Sequence, residues 1–294
     1  MKIGITGASG FIGRAVQRLA ASGGHEVIPY SRSPGPGARR FALETPPDLS
    51  GLDAVVHLAG ESVLGLWTRE KKRRIHRSRV EGTRRIVEAL ARDGSGPRTL
   101  ICASAIGYYG ETGETEVDEL SGPGEGFLAG VCRDWENEAR RAEELGGRVV
   151  RVRVGFVLGR GGAMKRIGPV FRLGLGGRLG DGRQWMSGVH VDDVAGIFLW
   201  AAENPGVTGA FNAVMPEPFR NGEFTRAVAE IVRRPAVFPV PAWALRLALG
   251  ELSGLLLDSI RVRPRQTVEA GYVFRFATLR AALQDVLTGR CGKH

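Results

Sequence analysis

The sequence predicts an α/β protein: a doubly wound parallel sheet with a smaller cap formed chiefly by the C-terminal part of the chain. Three observations carry this. A strand, a glycine turn, a helix and a second strand succeed one another within the first thirty residues. Apolar runs and amphipathic stretches then alternate to about residue 164, as parallel crossovers require. Residues 165–188 and everything beyond Pro216 break that alternation and must pack elsewhere. With 294 residues, 43% hydrophobic and 24% charged, the chain is long enough for one large core or two modest ones.

The first strand is KIGIT at 2–6, running straight into Gly7, Ala8, Ser9, Gly10, Phe11, Ile12 and Gly13. The spacing has a chemical reason. Gly7 lets the chain turn sharply out of the strand, Gly10 removes a side chain where a diphosphate must approach the backbone, and Gly13 lets the helix pack closely. The diphosphate then meets free N–H groups and the positive end of the helix. Gly7, Ser9, Gly10, Phe11, Ile12 and Gly13 are therefore candidate dinucleotide contacts. The second strand, at 25–30, ends in Ser31 and Arg32, and no carboxylate occurs between Glu26 and Glu44. A site for NAD places an acid there to accept the ribose hydroxyls, whereas a guanidinium matches a 2′-phosphate. NADP(H) is the cofactor this pattern predicts, with Arg39 and Arg40 adding to the field.

Later segments carry a resemblance. TGASGFIG, the strand DAVVHLAG at 53–60, RVEGT at 79–83, TLICAS at 99–104, VVRVRVGFVLG at 149–159 and HVDDV at 190–194 resemble the extended short-chain dehydrogenase/reductases. These include nucleotide-sugar epimerases and dehydratases. GYYG after Ser104, GRGGAM at 159–164, FRLGLGG at 171–177 and RVRPRQTVEAGYVFRF at 261–276 are similar to the epimerase-family subgroup of undefined substrate. The resemblance implies a Rossmann dinucleotide-binding domain over 1–164 and 189–215, and a substrate-binding cap over 165–188 and 216–290. It also implies cofactor contacts at Leu58, Ala59, Gly60, Glu61, Arg79, Ser104 and Val157, and a helix opening at Arg79.

The chain departs from the family at the proton donor. A Tyr-x-x-x-Lys pair is usual there, the lysine lowering the tyrosine pKa. The four tyrosines, at 30, 108, 109 and 272, are followed four places on by Pro34, Thr112, Gly113 and Phe276. Aligning the helix at 126–141 puts Leu128 and Cys132 where the pair would stand, and Arg79 replaces an asparagine. Ser104 remains, at a strand end where a doubly wound sheet exposes side chains to its ligand crevice. Tyr108 is the candidate replacement acid; Tyr108 and Tyr109 are otherwise packing residues with satisfied hydroxyls. The catalytic candidates are thus Ser104 and Tyr108. Cys132 reads as a buried thiol, His57 as a core histidine, and Asp192 or Asp193 as a helix cap.

The formal charge is +10, but only five of the 41 basic residues are lysines and the arginines are spread out. The dense run at 71–79 lacks interleaved aromatics for base stacking, so a solvated helix face is expected there rather than a nucleic-acid site. Arg153, Arg166, Arg172, Arg178 and Arg183 gather near the cap and suit an anionic substrate. Cys102, Cys132 and Cys291 lack metal-ligand spacing and read as reduced thiols of a cytoplasmic protein. No signal peptide or membrane span is read; the longest apolar stretch, 240–257, is broken by Pro241, Arg246, Gly250 and Glu251. A monomer and a homodimer fit equally. Two functions follow: an NADP(H)-dependent reductase or epimerase on an anionic carbonyl or sugar-nucleotide-like molecule, or an NADP(H)-binding sensor or scaffold without turnover.

Overall fold

The computed structural model describes residues 1–92 and 98–289. Its centre is a seven-stranded, wholly parallel sheet. We label β1 Lys2–Thr6, β2 Glu26–Ser31, β3 Arg39–Arg40, β4 Ala54–His57 and β5 Thr99–Ala105. The strands Arg148–Val154 and Gly209–Ala213 complete it beyond β5, and β2 and β3 lie on the other side of β1. The order therefore reverses between β1 and β4, the place where a doubly wound sheet opens a ligand crevice. Ile3, Ile5, Val55, Val56, Leu100, Ile101, Val150 and Val152 are all fully buried, which explains the near-continuous apolar runs of these strands.

Helix α1 (Phe11–Ser22) packs on the helix Val191–Glu203, and α2 (Arg69–Leu90) on α3 (Phe127–Glu144). α2 begins ten residues before Arg79, the expected opening. Thr68 caps it, its hydroxyl accepting from the Lys71 N–H at 3.2 Å. The 69–79 stretch shows little apolar periodicity; it is helical because Glu70 with Arg73 and Arg77 with Glu81 pair across single turns.

A second core holds the cap together. Leu158, Met164, Phe171, Phe219, Phe224, Phe276 and Leu283 meet there, drawn from three separate stretches of chain. The part of the chain beyond Pro216 includes the helices Asn221–Val232, Ala242–Leu249 and Leu279–Thr288. No described helix is long and apolar enough to cross a membrane. Cys291 lies outside the described residues.

Candidate functional site

The crevice is built from the turn after β1 outward. Gly7 has φ +67°, and a Cβ there would stand 2.8 Å from the carbonyl carbon of Leu58, so the turn is pressed against the end of β4. A Cβ on Gly13 would lie 2.3 Å from the Gly7 oxygen, which makes this glycine a condition of closure between helix and turn. Gly10 differs: it is exposed, and only the Gly7 oxygen, at 3.0 Å, would come within 4 Å of its Cβ. It is the N-cap of α1, with no capping side chain and no acid in the first turn. An uncapped helix start beside an exposed Ser9 and Gly10 fits a diphosphate. Phe11 and Ile12 are half-buried. The Phe11 ring seats against Gly159 and Gly161, where Cβ atoms would approach it to 2.5 and 2.6 Å, so the GRGG motif folds down beside the start of α1.

At the end of β2, Ser31 is half-buried and Arg32 exposed. The Arg39 guanidinium donates to the Ser50 carbonyl at 2.8 Å, 3.7 Å from Asp48, and so also braces the loop. Leu58, Ala59, Gly60 and Glu61 follow β4 at the crevice edge. Arg79 supports them from below, donating to the Glu61 carbonyl at 2.9 Å with its guanidinium 5.2 Å from the Trp135 ring centre. Val157, half-buried, lies in the short strand Phe156–Leu158, paired with Gly188–His190.

Ser104 is the penultimate residue of β5 and is 3% exposed. Its hydroxyl donates to Glu136 Oε1 at 2.8 Å. Arg153 grips the same carboxylate from Nε at 2.8 Å and from Nη2 at 2.9 Å. Arg153 Nη1 also donates to the Tyr109 hydroxyl at 2.9 Å, and Tyr109 donates to Asn212 Oδ1 at 2.8 Å. The Tyr108 ring lies 3.6 Å from the Arg153 guanidinium carbon, edge-on to Tyr109. The expectation that Arg153 faces substrate is therefore corrected: a cation in the middle of a parallel sheet is stable only when paired, and Glu136 pairs it. Glu136 went unread in the sequence, although it stands four residues after Cys132 and eight after Leu128, on one face of α3. That face meets β5 through Ser104 and Glu136, and the turn after β5 at Gly107, where a Cβ would touch Leu128 at 3.4 Å and the Cys132 sulfur at 4.0 Å.

The remaining candidates are structural. Burial pushes the Cys132 thiol up to about 11. His57 is fully buried; the Thr6 hydroxyl, already accepting from the Leu58 and Ala59 N–H groups, lies 2.7 Å from its Nδ1. Asp193 does not cap its own helix; His190 does, its Nδ1 accepting from the Asp192 N–H at 3.2 Å. Asp193 instead accepts from the N–H groups of Arg275 and Phe276 at 2.7 and 2.9 Å. Much of the basic run of α2 is paired: Lys71 with Glu61, Lys72 with Glu251, Arg73 with Glu70 and Arg77 with Glu81.

The model of the NAD dependent epimerase/dehydratase family matches residues 3–213, and a domain of unknown function, DUF1731, matches 240–286. The epimerase family protein SDR39U1 of Mus musculus is 38% identical, with 98% of this chain and 100% of that protein covered. A chloroplastic homologue from Arabidopsis thaliana is 36% identical over 98% of this chain and 87% of its own length. Among solved structures, human SDR39U1 (isoform 2) with NADPH superposes with a TM-score of 0.92 at 34% identity, covering 99% of this chain and 100% of that one.

Proposed function

The chain belongs to the NAD-dependent epimerase/dehydratase family, and we propose that it binds NADP(H) and acts as a reductase or epimerase on an anionic carbonyl or sugar-nucleotide-like molecule. The observation that carries this is the uncapped start of α1, flanked by Arg32 and by no carboxylate at the end of β2. The NADPH of the similar human protein agrees with it. In this reading residues 1–164 and 189–215 hold the dinucleotide, and 165–188 with 216–290 close over the substrate. Gly7, Ser9, Gly10, Phe11, Ile12 and Gly13 face the diphosphate, Ser31 and Arg32 the 2′-phosphate. Leu58, Ala59, Gly60 and Val157 line the path to the nicotinamide, whose C4 carries the hydride when the cofactor is bound. Ser104 orients the reacting oxygen, and Tyr108 is the nearest candidate acid. Arg166, Arg172, Arg178 and Arg183, all exposed, keep the cap attractive to anions once Arg153 is set aside. Two buried free thiols, Cys102 and Cys132, suit the reducing cytoplasm.

One observation favours the second reading, a binding protein with little turnover. Burial holds the Tyr109 phenol above its ordinary range, and no lysine stands four residues beyond either tyrosine to draw a proton off. Titration of NADPH and NADH into the protein tests the cofactor assignment. NADPH should bind at least about tenfold tighter, and Arg32→Ala should remove most of that margin, since one charge-assisted contact contributes about 1.5–3 kcal/mol. Equal affinities in the unaltered protein overturn it.

A further inference from the structure

One carboxylate at the crevice edge sits among more positive charge than it needs. Glu61 Oε1 is 2.7 Å from Lys71 Nζ and 3.8 Å from Arg74 Nε. Both cations belong to the first turns of α2 and, three residues apart, share a face. The Lys71 side chain is largely buried, at 13% exposure, whereas Glu61 at 35% opens to the crevice. The Lys71 hydrogen bond holds the Glu61 carboxyl below the usual carboxylate range, and the charges of Lys71, Arg74 and Arg32 reinforce it. Arg32 itself is exposed, directly after β2. The other charged groups nearby are Glu70, which pairs with Arg73 at 2.9 Å and reaches Arg74 at 3.6 Å, and Arg79, spent on the Glu61 backbone carbonyl.

Because all strands of the sheet are parallel, residues that follow β2 and β4 emerge on one edge, on either side of the glycine turn after β1. We propose that Lys71 and Arg74 form, with Arg32, a three-cation cradle for the 2′-phosphate of the dinucleotide, and that Glu61 is the resident counter-ion which this phosphate displaces. The inference rests on the NADP(H) reading and extends it to two residues of α2. A phosphate monoester brings close to two negative charges and three acceptor oxygens, one for each cation. Glu61 offers one charge and leaves the cluster undersatisfied. The displaced carboxylate stays near the cations and turns toward solvent, so binding exchanges a weak, half-exposed ion pair for a stronger set of contacts.

The test is titration of NADPH and NADH into the unaltered protein and into Lys71→Met, Arg74→Met and Glu61→Gln. NADH binding in each variant is the control for folding. Lys71→Met and Arg74→Met should each weaken NADPH at least about fivefold while changing NADH less than about twofold. Glu61→Gln should tighten NADPH at least about threefold, because its competing charge is gone. If the unaltered protein prefers NADPH and both cation variants keep its NADPH-to-NADH ratio, the cradle is wrong and the cofactor reading stands. Weaker NADPH binding by Glu61→Gln makes Glu61 a direct ligand and overturns its role as counter-ion. If the unaltered protein binds neither dinucleotide, the cofactor reading itself fails.

Discussion

The Ser104 hydroxyl gives its only proton to Glu136, at 2.8 Å, and the same carboxylate is held by Arg153 through both its oxygens. A serine fixed in this way offers lone pairs, not a proton, to anything bound beside it.

The Glu136–Arg153 pair is a stability determinant. Its side chains are 1% and 2% exposed, so removing either partner leaves a charge in an apolar layer. Glu136→Ala should cost about 3–5 kcal/mol, and Glu136→Leu with Arg153→Met should recover much of that. Urea midpoints of the single and double variants decide it; equal midpoints would mean that the pair is solvated.

Turnover should be weak. No lysine stands four residues beyond either phenol to draw its proton off, so proton transfer at neutral pH is slow. Oxidation of NADPH across a carbonyl panel, repeated with Ser104→Ala and Tyr108→Phe, is the measurement. Loss of a measurable rate in both variants supports the enzyme, and brisk turnover indifferent to both removes this site.

Gly10 and Gly13 should separate binding from folding. Gly10→Val places a branched side chain at the exposed helix start, where only the Gly7 oxygen lies near, so a folded protein that no longer binds dinucleotide is expected. Gly13→Val forces atoms to within 2.3 Å of the Gly7 oxygen and should lower the melting temperature by several degrees or prevent folding. Normal NADPH affinity in Gly10→Val would refute the diphosphate assignment.

The parts of the site governed by backbone geometry were legible in the sequence. The glycines at 7, 10 and 13 constrain the chain directly, and their spacing survives any packing around them. Side-chain pairing across the fold was not legible. Glu136 and Arg153 are 17 residues apart, on a helix and a strand whose meeting no local pattern announces. Asp193 looked like a cap because it opens a helix, yet its partners lie 82 and 83 residues further on. The start of α2 was missed because charged pairs, not an apolar stripe, stabilise its first turns.

Acid should destabilise the protein through His57. Complete burial lowers its pKa from 6.5 to about 3, whereas the unfolded chain takes up the proton near 6.5. The depressed folded value means that this contribution is fully present above pH 6.5. It is lost as pH falls toward about 3, at up to about 1.4 kcal/mol per pH unit. His57→Gln should flatten the decline in urea midpoint between pH 6.5 and 4; an unchanged slope would place the titration elsewhere.

Asp193 has a consequence for how the chain is made. Its carboxylate is 1% exposed, and burial holds its pKa above the ordinary carboxylate value. The N–H donors that satisfy it belong to Arg275 and Phe276, near the end of the chain. During synthesis from the N-terminus, the helix that follows His190 emerges some eighty residues before those donors. Until they arrive, the helix Val191–Glu203 carries an acid that it cannot bury at no cost. The order of synthesis and the order of stable packing are therefore opposed at this point, and the stretch at Arg275 and Phe276, just ahead of the helix Leu279–Thr288, serves as the fastener for the helix Val191–Glu203.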